Sequence, residues 1–297
     1  MTLVATLVSN PAAPALDAAL LAEARSRLTA PAAADVLAEG VAADLAVGAG
    51  LDAEAAEAAL RDLVAGRPLD VFVQPRARRR KRLLIADMDS TMIQQECIDE
   101  LAAELGLKDH IAAITERAMR GEIEFEPALR ERVALLKGLP VDAVQTVLDS
   151  RIRLTPGARA LVHTMKQHGA YCALVSGGFT LFTAPIAAQI GFDENQANRL
   201  LIQDGRLTGE VEEPILGRLA KRERLEHLVA EKGLDYAETL AVGDGANDLA
   251  MLDRAGLGVA FRAKPKVAEA ADARVDHGDL TALLYLQGYR ANQIAPD

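Results

Sequence analysis

Tryptophan is absent from the 297 residues, and aromatic side chains make up only 3% of them. Such a chain has little with which to build the stacking platform that holds single-stranded nucleic acid. Basic charge is also short: 33 Lys and Arg stand against 43 Asp and Glu, a net charge of −10. That balance argues against a polyanion-binding surface, so nucleic acid is not expected as a partner. No apolar run reaches the roughly 18 residues of a membrane span, and no membrane association is expected. The N-terminus, MTLVATLVSNPAAPAL, has no Lys or Arg ahead of its apolar part, as a secretory signal would, and is read as a strand. Cysteine occurs twice, at Cys97 and Cys172, in no metal or redox spacing. A reducing, cytoplasmic compartment is the simplest expectation. The five histidines show no metal spacing either, and there is no GxxxxGK(S/T) phosphate loop.

Half of the residues are apolar and 26% are charged, a core-forming composition. At about 150 residues per domain, the length favours two domains. Residues 1–75 are rich in Ala and Leu. They read as a strand at 2–8, a helix at 16–28, an apolar stretch at 33–39, a strand near 42–50, a helix from Asp52 and a strand at 69–75. The order β-α-β-β-α-β predicts a ferredoxin-like unit, although 33–39 is equally compatible with helix. Pro75 closes this unit. The basic run at 76–82 is read as a solvated linker.

From Leu83 the pattern changes. LLIAD at 83–87 is an unbroken apolar run ending in polar residues, as expected of a buried parallel strand. Further strands are predicted at 171–176, 239–244 and 256–261, separated by helices, with a hairpin around Asp204-Gly205 and a helix at 215–232. This alternation predicts a Rossmann-like α/β domain over 83–297 with a mostly parallel sheet. The helical block at about 96–150 is too long for a loop and is read as an inserted cap.

In open α/β sheets, function gathers at the carboxyl ends of the strands. Three strands here end in polar clusters: Asp87-Met88-Asp89-Ser90-Thr91, Ser176-Gly177-Gly178 and Gly243-Asp244-Gly245-Ala246-Asn247-Asp248. Lys221 lies between the last two. Asp87 and Asp89, two residues apart at a strand end, can bring both carboxylates to one cavity, where Asp244 can join them. Clustered carboxylates raise one another's pKa, and a hard cation held by oxygen ligands, Mg²⁺ above all, resolves the repulsion. With Ser176, Lys221 and nearby backbone N–H groups, such a site would cradle a phosphate.

Taken together and in this order, these motifs resemble the haloacid dehalogenase superfamily of phosphatases over residues 80–290. Within it they are similar to the bacterial-type phosphoserine phosphatases that carry an N-terminal regulatory domain. The resemblance implies a Mg²⁺-dependent hydrolase of O-phosphoserine, acting at the last step of serine biosynthesis. It implies Asp87 as the nucleophile that becomes an aspartyl-phosphate and Asp89 as general acid and base. Ser176 and Lys221 would hold the phosphoryl group, with Gly177, Gly178 and Asn247 beside it. Asp87, Asp244 and the backbone carbonyl of Asp89 would bind the metal. Asp248 would orient Lys221 or a metal water, and Thr91 would buttress the Asp87 loop. In the cap, Glu96 would meet the substrate ammonium, Arg132 its carboxylate, and Met119 and Phe125 would close over it. One departure stands at Ala220, where the family has an aromatic or polar residue before the lysine; Arg218, Arg222 and Arg224 are charged neighbours of Lys221. The N-terminal segment is similar to ACT-type amino-acid-binding modules, which implies homodimerisation or feedback by serine. Rival readings are a related phosphatase or phosphotransferase acting on another small phosphate, such as phosphohomoserine, and a non-catalytic amino-acid sensor.

Overall fold

The structure, a computed structural model, describes residues 2–217 and 219–297, without the side chain of Met119. The first 75 residues form β1 (Leu3–Ser9), α1 (Ala18–Arg27), β2 (Asp35–Ala38), β3 (Ala42–Ala46), α2 (Ala53–Leu63) and β4 (Leu69–Pro75). The sheet order is β2-β3-β1-β4, antiparallel throughout, which is the ferredoxin-like arrangement. Asp17 and Asp52 start the two helices: each side chain accepts a first-turn N–H, from Leu20 and Ala55. The ambiguous stretch at 33–39 becomes strand because Val36 pairs with Ala43. Alternation along β1 sends Leu7 into the core under α1 and α2, and Val8 to the opposite face.

The second part begins with β5 (Leu83–Ala86) and leaves it through a single irregular turn, Met88–Met92. A helical block follows: α3 (Cys97–Ala103), α4 (Lys108–Met119), α5 (Phe125–Ala134) and α6 (Asp142–Ser150). The chain enters and leaves this block side by side. Ile93 bridges Leu154, and the Gln94 N–H donates to the Arg153 carbonyl at 3.0 Å. Next come α7 (Ala158–Gln167), β6 (Tyr171–Phe179), α8 (Thr180–Ile190), β7 (Glu194–Asn198), β8 (Leu200–Gln203) and β9 (Arg206–Val211). Then follow α9 (Ala220–Lys232), β10 (Thr239–Gly243), α10 (Leu249–Arg254), β11 (Gly258–Phe261), α11 (Pro265–Ala270), β12 (Ala273–Val275) and α12 (Ala282–Tyr285). The main sheet is parallel, in the order β12-β11-β10-β5-β6-β7. Its central strands β10, β5 and β6 are the three whose ends carry the polar clusters, and β5 sits at the point where strand order reverses. No helix among the described residues is long and apolar enough to cross a membrane.

Three features depart from the sequence-based expectations. The helix expected from 215 begins only at Ala220. Pro214 has no N–H to donate, and the Leu216 N–H is drawn instead to Asn198 Oδ1 at 2.8 Å. The hairpin β8–β9, turned by Asp204 and Gly205 at φ +50° and +72°, packs on the helical block. The Gly138 N–H donates to Leu207 and the Val141 N–H to Gly205, so the cap draws on two distant stretches of chain. The basic run is solvated only in part. Arg76, Arg78, Arg80 and Arg82 are exposed, but Lys81 is buried with Nζ donating to the Ala237 carbonyl, and Arg79 pairs with buried Asp44 at 2.7 Å.

The outer face of the antiparallel sheet is covered by the end of the chain. Val8, Ala42 and Phe72 share a buried cluster with Leu283, Leu286 and Tyr289. Beside it, Asp70 of β4 accepts the N–H groups of Asp276 at 2.8 Å, His277 at 3.2 Å and Gly278 at 2.7 Å. Asp70→Ala strands these donors at a buried seam, at a cost of about 2–4 kcal/mol. We expect thermal unfolding of the whole chain to shift down by roughly 5 °C or more. An unchanged midpoint in a melting experiment would mean that water replaces the carboxylate there.

Candidate active site

The irregular turn after β5 sets the first residues of the site. The Asp87 N–H donates to Val242 of β10, which fixes the strand end. Asp87 Oδ1 accepts the Met88 N–H at 2.8 Å and meets Lys221 Nζ at 2.6 Å. Both contacts fall on Oδ1, which leaves Oδ2 outside them. Ser90 then adopts φ +55°, reversing the chain so that its hydroxyl donates to Glu96 Oε1 at 2.5 Å. Asp89 Oδ1 accepts the Cys97 N–H at 3.0 Å, at the start of α3.

Lys221, on the first turn of α9, is 3% exposed and bridges Asp87 and Asp248 at 2.6 Å each. Its neighbours point elsewhere: Arg222 pairs with Glu226 and Arg224 with Glu194. Arg218 lies outside the described residues. Burial pulls the Lys221 pKa down, but Asp248 and Asp87 outweigh it and hold the ammonium charged, above its ordinary value. Asp248 is fully committed. Its Oδ1 takes Lys221, and its Oδ2 accepts the N–H groups of Asp244 at 3.1 Å and Gly245 at 3.0 Å. A Cβ at Gly243 would lie 2.4 Å from that carboxylate, so only glycine fits there.

Asp87, Asp244 and Asp248 each offer an oxygen within 4.8 Å of the others. The repulsion shows in their pKa values. Burial and the Asp248 charge push Asp87 up to about 7, against the pull of Lys221. Burial, Asp248 and Asp87 push Asp244 well above the carboxylate range. Thr91, within the turn that follows Asp87, donates to Asp244 Oδ1 at 3.2 Å and so ties this turn to the end of β10. The Asp89 side chain stands apart from the three.

The second strand end supplies a cradle. The Ser176 hydroxyl accepts the Gly178 N–H at 2.9 Å, which leaves its own proton to donate. A Cβ at Gly178 would lie 2.9 Å from Asp89 Oδ2, and one at Gly177 would lie 2.9 Å from Phe125 Cζ. Both glycines therefore let the strand approach the acid and the cap. Asn198 was not identified from sequence. Its amide donates to the Gly177 carbonyl at 2.9 Å and its oxygen accepts the Leu216 N–H, so it clamps the cradle to the loop before α9.

These groups open into a cavity of about 160 Å³ between sheet and cap. Asp87, Asp89, Ser176, Gly177, Gly178 and Asn247 line its floor, and Glu96, Phe125 and Arg132 its roof. The side chain of Met119 lies outside the described residues. Arg132 is 6% exposed and makes no ion pair among the described residues; its Nε and Nη1 donate to neutral acceptors. Burial lowers its pKa, and the Glu96, Asp99 and Asp89 charges oppose that. Burial, with Asp89 and Asp244 near, pushes the Glu96 pKa well up. A buried guanidinium that lines a small cavity with N–H groups to spare can bind an anion there.

The sequence pattern of haloacid dehalogenase-like hydrolases matches residues 84–253. A phosphoserine phosphatase of Streptomyces coelicolor is 45% identical over 82% of this chain and 60% of its own length. Across the first three curated relatives the chain spans 58 to 63% of their length. A haloacid dehalogenase-family hydrolase from Salmonella enterica serovar Typhi superposes with a TM-score of 0.84 at 31% identity, covering 97% of this chain and 98% of that one. A phosphoserine phosphatase solved with an analogue of the phospho-aspartyl intermediate superposes with a TM-score of 0.67 at 43% identity. It covers 69% of this chain and 98% of its own.

Proposed function

The chain belongs to the haloacid dehalogenase-like hydrolase family, and we propose that it hydrolyses O-phospho-L-serine to L-serine and phosphate through an aspartyl-phosphate on Asp87. The observation that carries the substrate is the charge pattern of one cavity: Lys221 behind the nucleophile, Glu96 and an ion-pair-free Arg132 in the cap. A phosphate, an ammonium and a carboxylate on a three-carbon frame complement those three points. The phosphoserine phosphatases among its relatives support the same choice.

Asp87 Oδ2 attacks phosphorus as the bond to the serine oxygen breaks. That oxygen takes the proton of Asp89, whose pKa is pushed up by burial, so the acid form needed at this step is favoured. Lys221, the Ser176 hydroxyl and the Gly177 N–H hold the phosphoryl oxygens as charge builds, while the Gly178 N–H holds the Ser176 oxygen in place. After serine leaves, Asp89 takes a proton from water, the water oxygen attacks phosphorus, and the bond to Asp87 breaks. The cap excludes bulk water during the first step.

The donor set fits a hard cation. Three buried carboxylates converge with one ammonium among them, and Asp244 keeps an oxygen outside its hydrogen bond while Asp248 has both engaged. We assign Mg²⁺ to Asp87, Asp244 and the Asp89 backbone carbonyl. When bound it neutralises the cluster and draws charge from the phosphoryl oxygens. The free, buried Cys97 and Cys172 accord with a reducing, cytoplasmic setting.

The test is phosphate release from L-phosphoserine beside other small phosphomonoesters, phosphohomoserine included, with Mg²⁺ and with a chelator. Metal-dependent release with a clear preference for phosphoserine is expected. Equal turnover of phosphates that lack an amino-acid end would overturn the substrate, and full activity under chelation would overturn the metal.

A further inference from the structure

Arg132 sits on α5, and what holds it lies on two other helices of the cap. Its Nη1 donates to Thr115 Oγ1 of α4 at 3.0 Å, and Thr115 Oγ1 stands 2.8 Å from Asp99 Oδ1 of α3. All three residues are buried, at 6%, 3% and 9% exposed. Because Oγ1 accepts from Arg132, its single proton is free to donate. Of its two acceptors, the Asp99 carboxyl is nearer than the Ile111 carbonyl at 3.1 Å. The order is therefore guanidinium N–H to hydroxyl oxygen, and hydroxyl proton to carboxylate.

Resting on the phosphoserine reading above, we propose that Asp99 and Thr115 are positioning residues that aim Arg132 at the substrate carboxylate and so set the preference for amino-acid phosphates. The intervening hydroxyl is the point of the design. A carboxylate in direct contact with Arg132 would occupy the two-pronged edge that a substrate carboxylate needs. A carboxylate one hydroxyl away compensates the buried charge and polarises the tether, yet uses only one N–H. The Nε bond to the Ala128 carbonyl at 3.1 Å uses a second. Three N–H groups remain, and the plane of the fork is fixed by two anchors on different helices. The relay touches neither Asp87 nor the Lys221 site, so it acts on specificity and not on phosphoryl transfer.

The experiment compares L-phosphoserine with phosphoethanolamine, which keeps the phosphate and ammonium but lacks the carboxylate. Thr115→Val keeps side-chain volume and removes the tether; we expect KM for phosphoserine to rise about tenfold or more, with phosphoethanolamine kinetics within about twofold of wild type. Thr115→Ser restores the hydroxyl and should restore the KM. Asp99→Asn keeps an acceptor for Thr115 without the charge and should raise the phosphoserine KM severalfold. Equal losses on both substrates would show that the pair merely supports the cap and would overturn the proposal, as would a Thr115→Val enzyme that still discriminates like wild type. A wild-type enzyme that treats the two phosphates alike would overturn the substrate reading and, with it, the relay's role in selection.

Discussion

Asp87→Asn is expected to lose at least about 10⁴-fold in kcat for phosphate release while remaining folded. The asparagine oxygen still accepts the Met88 N–H that shapes the turn. The substitution also takes one carboxylate out of a mutually repelling cluster in which burial and Asp248 push Asp87 up to about 7. The variant therefore keeps the cavity but lacks a nucleophile. Lys221, the glycine cradle and the cap would still bind substrate, so the loss should fall on kcat and leave KM near wild type. Acid-quenched wild-type enzyme, mixed with phosphate-labelled substrate, should carry label on the protein, and the variant should carry none. A variant that retained substantial turnover would exclude the covalent route and recast Asp87 as a metal ligand alone.

The parts of this site that were legible in the sequence are those with a local signature. Buried parallel strands are apolar on both faces, so LLIAD and TLAVGD announced themselves, and the polar residues just beyond them marked the carboxyl edge. The ferredoxin-like order followed from strand and helix patterns in the same way. Less legible were elements whose reason for existing lies elsewhere in the chain. β7 reads ENQAN; as an edge strand pairing only with β6, it needs little apolar sequence, and it was missed. β12 has three residues and was missed for the same reason. Asn198, Asp70 and the Asp99–Thr115 pair carry no motif, because their partners lie 16 to 208 positions away. The identity of the third clustered carboxylate was half visible. Asp248 was expected to orient Lys221 or a metal water; its Oδ1 lies 2.6 Å from Lys221 Nζ, and its two bonds to the Asp244 and Gly245 N–H groups, which no motif announces, depend on the tight turn permitted by Gly243.

Lys221→Met should cost both activity and stability, and the stability loss should depend on pH. Methionine matches the length of the lysine stem, so packing is nearly conserved and the change isolates the charge. Without the ammonium, the phosphoryl oxygens lose their fixed cation, for a fall in kcat of about 10³-fold or more. Asp87 and Asp248 also lose their shared partner while staying buried, which costs about 3–5 kcal/mol when all the carboxylates are charged. The sign with pH follows from the shifts. Burial and neighbouring carboxylates already raise Asp87 to about 7 and Asp244 well above its ordinary value, with Lys221 opposing both. Removing Lys221 raises them further. A carboxyl whose folded-state pKa is raised leaves stability intact below its unfolded value and takes it away as pH rises through the folded value. The gap in melting temperature between wild type and variant, measured without metal, should therefore be small near pH 5 and wide at pH 8. Added Mg²⁺ should narrow it at pH 8 by supplying the missing positive charge. A gap that stayed constant across this range would mean that Lys221 serves the fold through packing, and that the carboxylate cluster is balanced by something other than its one buried ammonium.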